Sequence, residues 1–164
     1  MGVGKSTVGK ALASELHCPF FDTDQLIEER TGADIGWIFD VEGEQGFRNR
    51  EHDMLRELLS DKGQAKVIAT GGGIVLREDN RELLKSCDLV VYLKADIEQL
   101  VARTARDKKR PLLQVDDREQ QIRKLINERE PLYRSTCTAT ICSNKRGPKQ
   151  VVDEIIELLS GSDS

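Results

Sequence analysis

The chain opens Met1-Gly2-Val3-Gly4-Lys5-Ser6-Thr7, residue types whose spacing can hold a phosphate. Glycines let the backbone curl until several N–H groups converge on one anionic oxygen cluster. A helix starting near Lys5 adds its positive N-terminal end. In that arrangement the amides from Gly2 and Val3 through Gly4 to Thr7 surround the phosphates. Lys5 reaches the β/γ-phosphates of a nucleotide, and the Ser6 hydroxyl ligates Mg²⁺. The plain alternative is a glycine-bearing turn before a helix. The segment opens an amphipathic helix within a strand–helix alternation, which favours the phosphate loop. It is the second half of a GxxxxGK(S/T) pattern, whose first glycine would precede Met1.

Other groups downstream can do chemistry. Asp22-Thr23-Asp24 follows the apolar run ending at Phe21, and ligands of open α/β sheets bind where strands end. Two carboxylates at i and i+2 can divide the work. Asp22 steadies a metal shell and Asp24 accepts hydrogen bonds from a substrate hydroxyl, while one of the pair can instead cap the next helix. Thr70-Gly71-Gly72-Gly73 follows a second apolar run, and three glycines there admit a ligand close to the backbone. Arg48 and Glu51 share a helix face; a surface salt bridge is the alternative reading of Arg48. Arg129 stands three and seven residues after Ile126 and Ile122, on or beside an apolar stripe, where an arginine holds an anion or a buried carboxylate. The basic stretch from Arg103 to Asp117 reads as a solvated loop or as a flap over something anionic.

The elements that must position these residues alternate. Strand-like runs are Pro19 to Phe21, Val67 to Ala69, Leu89 to Leu93 and Ala139 to Cys142. Helical stripes are Val8, Leu12 and Leu16; Phe47, Met54, Leu55, Leu58 and Leu59; Ile97, Leu100 and Val101; Ile122, Leu125, Ile126 and Leu132; and Val152, Ile155, Ile156 and Leu159. Short apolar runs between amphipathic helices predict a three-layer α/β sandwich with a parallel sheet. At 164 residues the chain suits a single domain. A net charge of −4 argues against a general nucleic-acid binder, and no apolar run is long enough to span a bilayer. Cys18, Cys87, Cys137 and Cys142 form no CxxC pair, which predicts buried free thiols in a cytoplasmic protein.

Together these residues describe a small-molecule kinase. The chain resembles the shikimate kinase family through GVGKSTVGKALA, FDTDQLIEERTG, IFDVEGEQGFRNRE, ATGGG, DKKRPLL, NEREPLYR and NKRGP. The first segment is widespread among nucleotide-binding proteins; the ordered set is specific and spans nearly the whole chain. The resemblance implies ATP-dependent phosphorylation of the 3-hydroxyl of shikimate, with Mg²⁺, on the route to chorismate and the aromatic amino acids. It implies a P-loop kinase fold with strand order 2-3-1-4-5, a substrate-binding segment at about 24–60 and a lid at about 106–118. Residues 1–164 would be one domain, acting as a monomer on shikimate and ATP, without nucleic acid or membrane.

The resemblance also assigns roles. Lys5, Asp24 and Arg110 are the catalytic residues, with Arg110 the lid arginine facing ATP. Arg103 and Arg146 flank the adenine. Arg48 and Arg129 pair with the shikimate carboxylate, Gly71, Gly72 and Gly73 line its pocket, and Glu51 orients Arg48 or the metal shell. Ser6 ligates Mg²⁺ and Asp22 supports it. The alternatives are another P-loop kinase, acting on gluconate or a nucleotide, or an inactive nucleotide-binding homologue. The family's first strand is absent from the sequence, so the expectation is an open central position in the sheet. A strand of about five residues buries several apolar side chains, each worth roughly 1.5–3 kcal/mol. The chain from Met1 is therefore expected to fold poorly and turn over little until about ten residues are added ahead of it.

Overall fold

The computed structural model describes residues 4–105 and 117–162. Helix α1 (Lys5–Glu15) leads to strand β1 (Phe20–Asp22), then α2 (Thr23–Thr31) and α3 (Ile35–Ser60). Strand β2 (Val67–Ala69) runs into a 3₁₀ turn (Gly72–Leu76) and α4 (Glu78–Lys85). Strand β3 (Val91–Lys94), α5 (Ile97–Thr104), α6 (Arg118–Thr136), β4 (Ala139–Cys142) and α7 (Pro148–Ser162) complete the described elements. The strands fall within two residues of the sequence expectation.

The strands are parallel and form two separate pairs. β1 pairs with β2, with Phe20 opposite Val67 and Asp22 opposite Ala69. β3 pairs with β4, with Val91 opposite Ala139 and Lys94 opposite Cys142. No ladder joins β2 to β3 among the described residues. This is the expected order with its middle position open. A cleft of about 1190 Å³ lies there, lined by Val67, Ile68, Val91 and Leu93 and by Val8 and Leu12 of α1.

Packing on either side of the open position keeps the pairs in place. Val8 and Leu12 of α1 join Ile141 and the α7 residues Val151, Val152 and Ile155 in one core cluster. Leu55, Ile74, Val75 and Leu84 form another, with Leu132 and Tyr133 of α6 against it. Ile27, Ile35, Ile38, Phe47 and Met54 hold α2 onto α3. Within α3, Gly43 breaks the helix with φ 73° and ψ 176°, which a residue with a Cβ rarely adopts. The polar run Glu78–Lys85 is helical without having shown an expected stripe, because only Asn80 and Leu84 face inward.

Two expectations need correction. Leu16 is 39% exposed, because α1 ends at Glu15 and His17 turns the chain away at φ 52°. The thiols are free but not buried: Cys142 is exposed and the other three are half-buried. Cys142 alternates with the buried Ile141 on β4, so its side chain points outward.

Candidate active site

The N-terminus of α1 is built as its residue types require. Gly4 caps the helix at φ 84°, a left-handed conformation that favours glycine, so the first amides of α1 point out of the helix end. A pocket of about 440 Å³ opens there. Lys5, Ser6 and Thr7 line it with Arg103 from the last turn of α5 and Arg146 from the loop after β4. The structure thus gathers five of the sequence-predicted nucleotide residues from three parts of the chain. Arg146 is braced by Glu154 at 2.5 Å and by the carbonyls of Cys142 and Gln150, each at 3.2 Å. Gly2, Val3, Arg110 and most of the lid segment lie outside the described residues.

The Ser6 hydroxyl donates to Asp22 Oδ2 at 2.5 Å. The other oxygen of Asp22 accepts from the amides of Asp24 and Gln25 at 3.0 and 3.2 Å, so Asp22 is the N-cap of α2. Of the two aspartates, Asp22 both caps a helix and meets Ser6, which frees Asp24 from the capping task. A hydroxyl and a carboxylate oxygen side by side next to a phosphate loop are donors suited to a hard divalent cation such as Mg²⁺.

Two residues further on, Asp24 faces a second cluster. A Cβ placed on Gly71 would lie 3.0 Å from Asp24 Oδ1 and 3.1 Å from Glu51 Oε2, so a side chain there would press on both carboxylates. A Cβ on Gly73 would overlap the Arg48 guanidinium. Arg48 is 8% exposed; its Nη1 donates to Glu51 Oε1 at 2.9 Å and its Nη2 to Glu44 at 3.2 Å. It also stacks over the Phe47 ring, 5.3 Å from the centroid. The surface-salt-bridge alternative for Arg48 is thereby excluded.

Glu51 is fully buried, and its Oε2 has no hydrogen-bond partner among the described residues. Burial raises the Glu51 pKa, and nearby Asp24 adds to this, while Arg48 and Arg129 pull it down. Arg129, 5% exposed, stands on the inner stripe of α6 with Ile122 and Leu125, as its spacing predicted. Two features escaped the sequence reading. Glu44 is a second partner of Arg48, one helical turn before it. Tyr133, one turn after Arg129, donates its hydroxyl to the Gly72 carbonyl at 2.6 Å. The only available sequence signal was the position of Tyr133 four residues after Arg129.

A glycine-capped helix end with Lys5 and Ser6, an oxygen pair beside it and two buried arginines near the glycine turn are the parts of a P-loop kinase of a small anionic molecule. A family model described as shikimate kinase matches residues 1–160. A shikimate kinase of Chromohalobacter salexigens is 56% identical over 156 residues, covering 95% of this chain and 86% of that protein. One of Pseudomonas paraeruginosa is 53% identical, covering 97% of this chain and 91% of that protein. The solved shikimate kinase of Acinetobacter baumannii in complex with shikimate superposes with a TM-score of 0.94 at 47% identity, covering 98% of this chain and 89% of that one. The chain belongs to the shikimate kinase family.

Proposed function

We propose that this chain transfers the γ-phosphoryl group of ATP to the 3-hydroxyl of shikimate. The observation that carries the reading is the pair of buried arginines, Arg48 and Arg129, set about a glycine turn beside Asp24, with Asp24 two residues from the Asp22–Ser6 contact. That spacing makes the phosphate and hydroxyl sites neighbours.

Lys5 and the amides at the head of α1 hold the phosphates, with Gly2 and Val3 continuing the loop. Arg103 and Arg146 flank the base. Arg48 and Arg129 bind the substrate carboxylate, while Gly71, Gly72 and Gly73 let it approach the backbone. Glu51 holds Arg48 in place, and its remaining oxygen is an acceptor for a substrate hydroxyl. Ser6 would hold Mg²⁺ with Asp22 supporting it, and the ion would supply neutralisation of the phosphate charge. Asp24 orients the 3-hydroxyl and accepts its proton as the new P–O bond forms. Phosphoryl transfer leaves the protein mostly positioning and charge stabilisation to do. A general base supplies roughly 10²–10⁴-fold and an arginine closing over the phosphates about 10³-fold or more. Arg110 is the residue for that second role, and residues 106–118 the lid that carries it.

The reading includes a single domain over residues 1–164, with substrate recognition in about 24–60, working as a monomer in the cytoplasm. No described helix is long and apolar enough to cross a membrane. The test is coupled ADP release with ATP, Mg²⁺ and shikimate. It is run on the chain and on a form extended ahead of Met1 by about ten residues that include an apolar strand of about five. Shikimate-dependent release is expected; none from either form overturns the reading, and gluconate- or nucleotide-dependent release points to a different P-loop kinase.

A further inference from the structure

We propose that Tyr133 is a positioning residue that fixes the spacing between Arg129 and the Gly71–Gly73 turn, so that the two walls of the carboxylate pocket stay in register. The inference rests on the reading of that pocket as the shikimate carboxylate site.

Arg129 and the glycine turn come from distant parts of the chain and share no backbone ladder. The Tyr133 hydroxyl, 61 residues from Gly72, donates to the Gly72 carbonyl at 2.6 Å. Arg129 stands one helical turn before Tyr133 on α6, so whatever holds the Tyr133 hydroxyl also sets where Arg129 leaves the helix. The hydroxyl therefore ties α6, four residues after Arg129, to the turn.

The direction of that hydroxyl is held by its ring. Tyr133 stacks on Tyr92 of β3 with centroids 4.7 Å apart and planes 29° apart. It also packs against the cluster of Leu55, Ile74, Val75 and Leu84. Burial raises the Tyr133 pKa, so the hydroxyl stays a neutral donor at any working pH.

The opposite side of the turn has its own tie. Asn80 Nδ2 donates to the Ile74 carbonyl at 3.0 Å, and its Oδ1 meets His52 Nδ1 of α3 at 2.7 Å. His52 directly follows Glu51. The helix of Arg129 thus reaches the turn directly through Tyr133, and the helix of Arg48 reaches it through His52 and Asn80. Removing the Tyr133 hydroxyl releases the Arg129 side alone and leaves the Arg48 side held.

Tyr133→Phe deletes one oxygen and keeps the stacked ring. Shikimate and ATP dissociation constants and Tm are measured for wild type, Tyr133→Phe, Arg129→Ala and the double variant. All are made in the form of the protein that shows shikimate-dependent turnover. The expected result is a rise of about three- to tenfold in the shikimate constant, the size of one neutral hydrogen bond. The ATP constant stays unchanged. In the Arg129→Ala background the same substitution adds nothing, because Tyr133 acts through that arginine. An unchanged shikimate constant, an equal loss for both ligands or an additive double variant overturns the positioning role. If the phenylalanine variant melts early, the constants are read well below its Tm, where the split between ligands still decides. A wild type that turns over but shows no shikimate affinity overturns the reading of the pocket instead.

Discussion

The substrate end and the nucleotide end of the molecule handle charge differently. Around the glycine turn, Arg48 and Arg129 are 8% and 5% exposed and Glu51 is fully buried. Around the head of α1, Thr7 and Arg103 are exposed, and Lys5, Ser6 and Arg146 are half-buried. Two charges 4 Å apart interact by about 1 kcal/mol in water and about 4 kcal/mol near a protein surface, so a buried arginine grips a carboxylate harder. It also cannot be left alone, since an unpaired buried charge costs several kcal/mol. The substrate end therefore carries its own counterions, Glu51 and Glu44 on Arg48, before any ligand arrives. The nucleotide end uses a helix terminus and more exposed cations, of which Arg146 pairs with Glu154. Substitutions at the substrate end should move binding and stability together; those at the nucleotide end should move catalysis or binding alone.

The largest expected effect tests the nucleotide end. On the proposed reading Lys5→Met removes the cation that holds the phosphates, and it should lower kcat by about 10²–10³-fold or more. Tm should match wild type, because Lys5 is half-buried at a pocket rim rather than packed in a core cluster. A fall in Tm comparable to that of a core truncation would break the contrast. Next in size is a matched pair. Arg48→Ala should weaken shikimate binding by roughly 2–4 kcal/mol, about 30- to 1000-fold, and lower Tm by leaving Glu51 buried without its partner. Arg103→Ala should raise the ATP KM only a few-fold and leave Tm unchanged, as for an exposed charge. Equal shifts in Tm, or an Arg48→Ala variant impaired mainly for ATP, would show that the two ends do not differ as described.

The same division explains what the sequence could reveal. The phosphate loop was legible because its chemistry is local: Gly4, Lys5 and Ser6 are consecutive, and Gly4 adopts the left-handed turn that its lack of a Cβ permits. Strands β1 to β4 were legible as apolar runs, and among the described residues they form two separate parallel pairs. Arg129 was placed correctly because helical periodicity is a short-range property. The burial of Arg48 was not readable, because the Gly73 backbone that covers it lies 25 residues away in sequence. The Tyr133–Gly72 hydrogen bond spans 61 residues and left no periodic trace. The 3₁₀ turn and α4 were missed because their inward residues are few and mixed with Asn80, a polar side chain buried by its own hydrogen bonds.

The smallest expected effect tests whether the substrate end is as desolvated as its geometry implies. Burial is the largest influence on Glu51 and raises its pKa above 4.5, even though Arg48 draws it down. The folded chain then holds this proton more tightly than the unfolded chain. Below about pH 4 both states are protonated and Glu51 contributes nothing to the pH dependence. As pH rises through 4.5 toward the raised folded value, the unfolded state loses its proton first, so stability falls. Above the folded value the penalty is complete and constant. Glu51→Gln keeps the shape and an acceptor for Arg48 but cannot ionise. Wild-type stability minus that of Glu51→Gln should therefore fall with rising pH over this window and then level off. Denaturant melts of both proteins at a series of pH values give the difference directly. A difference that rises with pH would mean that the attraction of Arg48 and Arg129 outweighs desolvation. The substrate end would then behave electrostatically like the open nucleotide end, and the contrast between them would rest on packing alone.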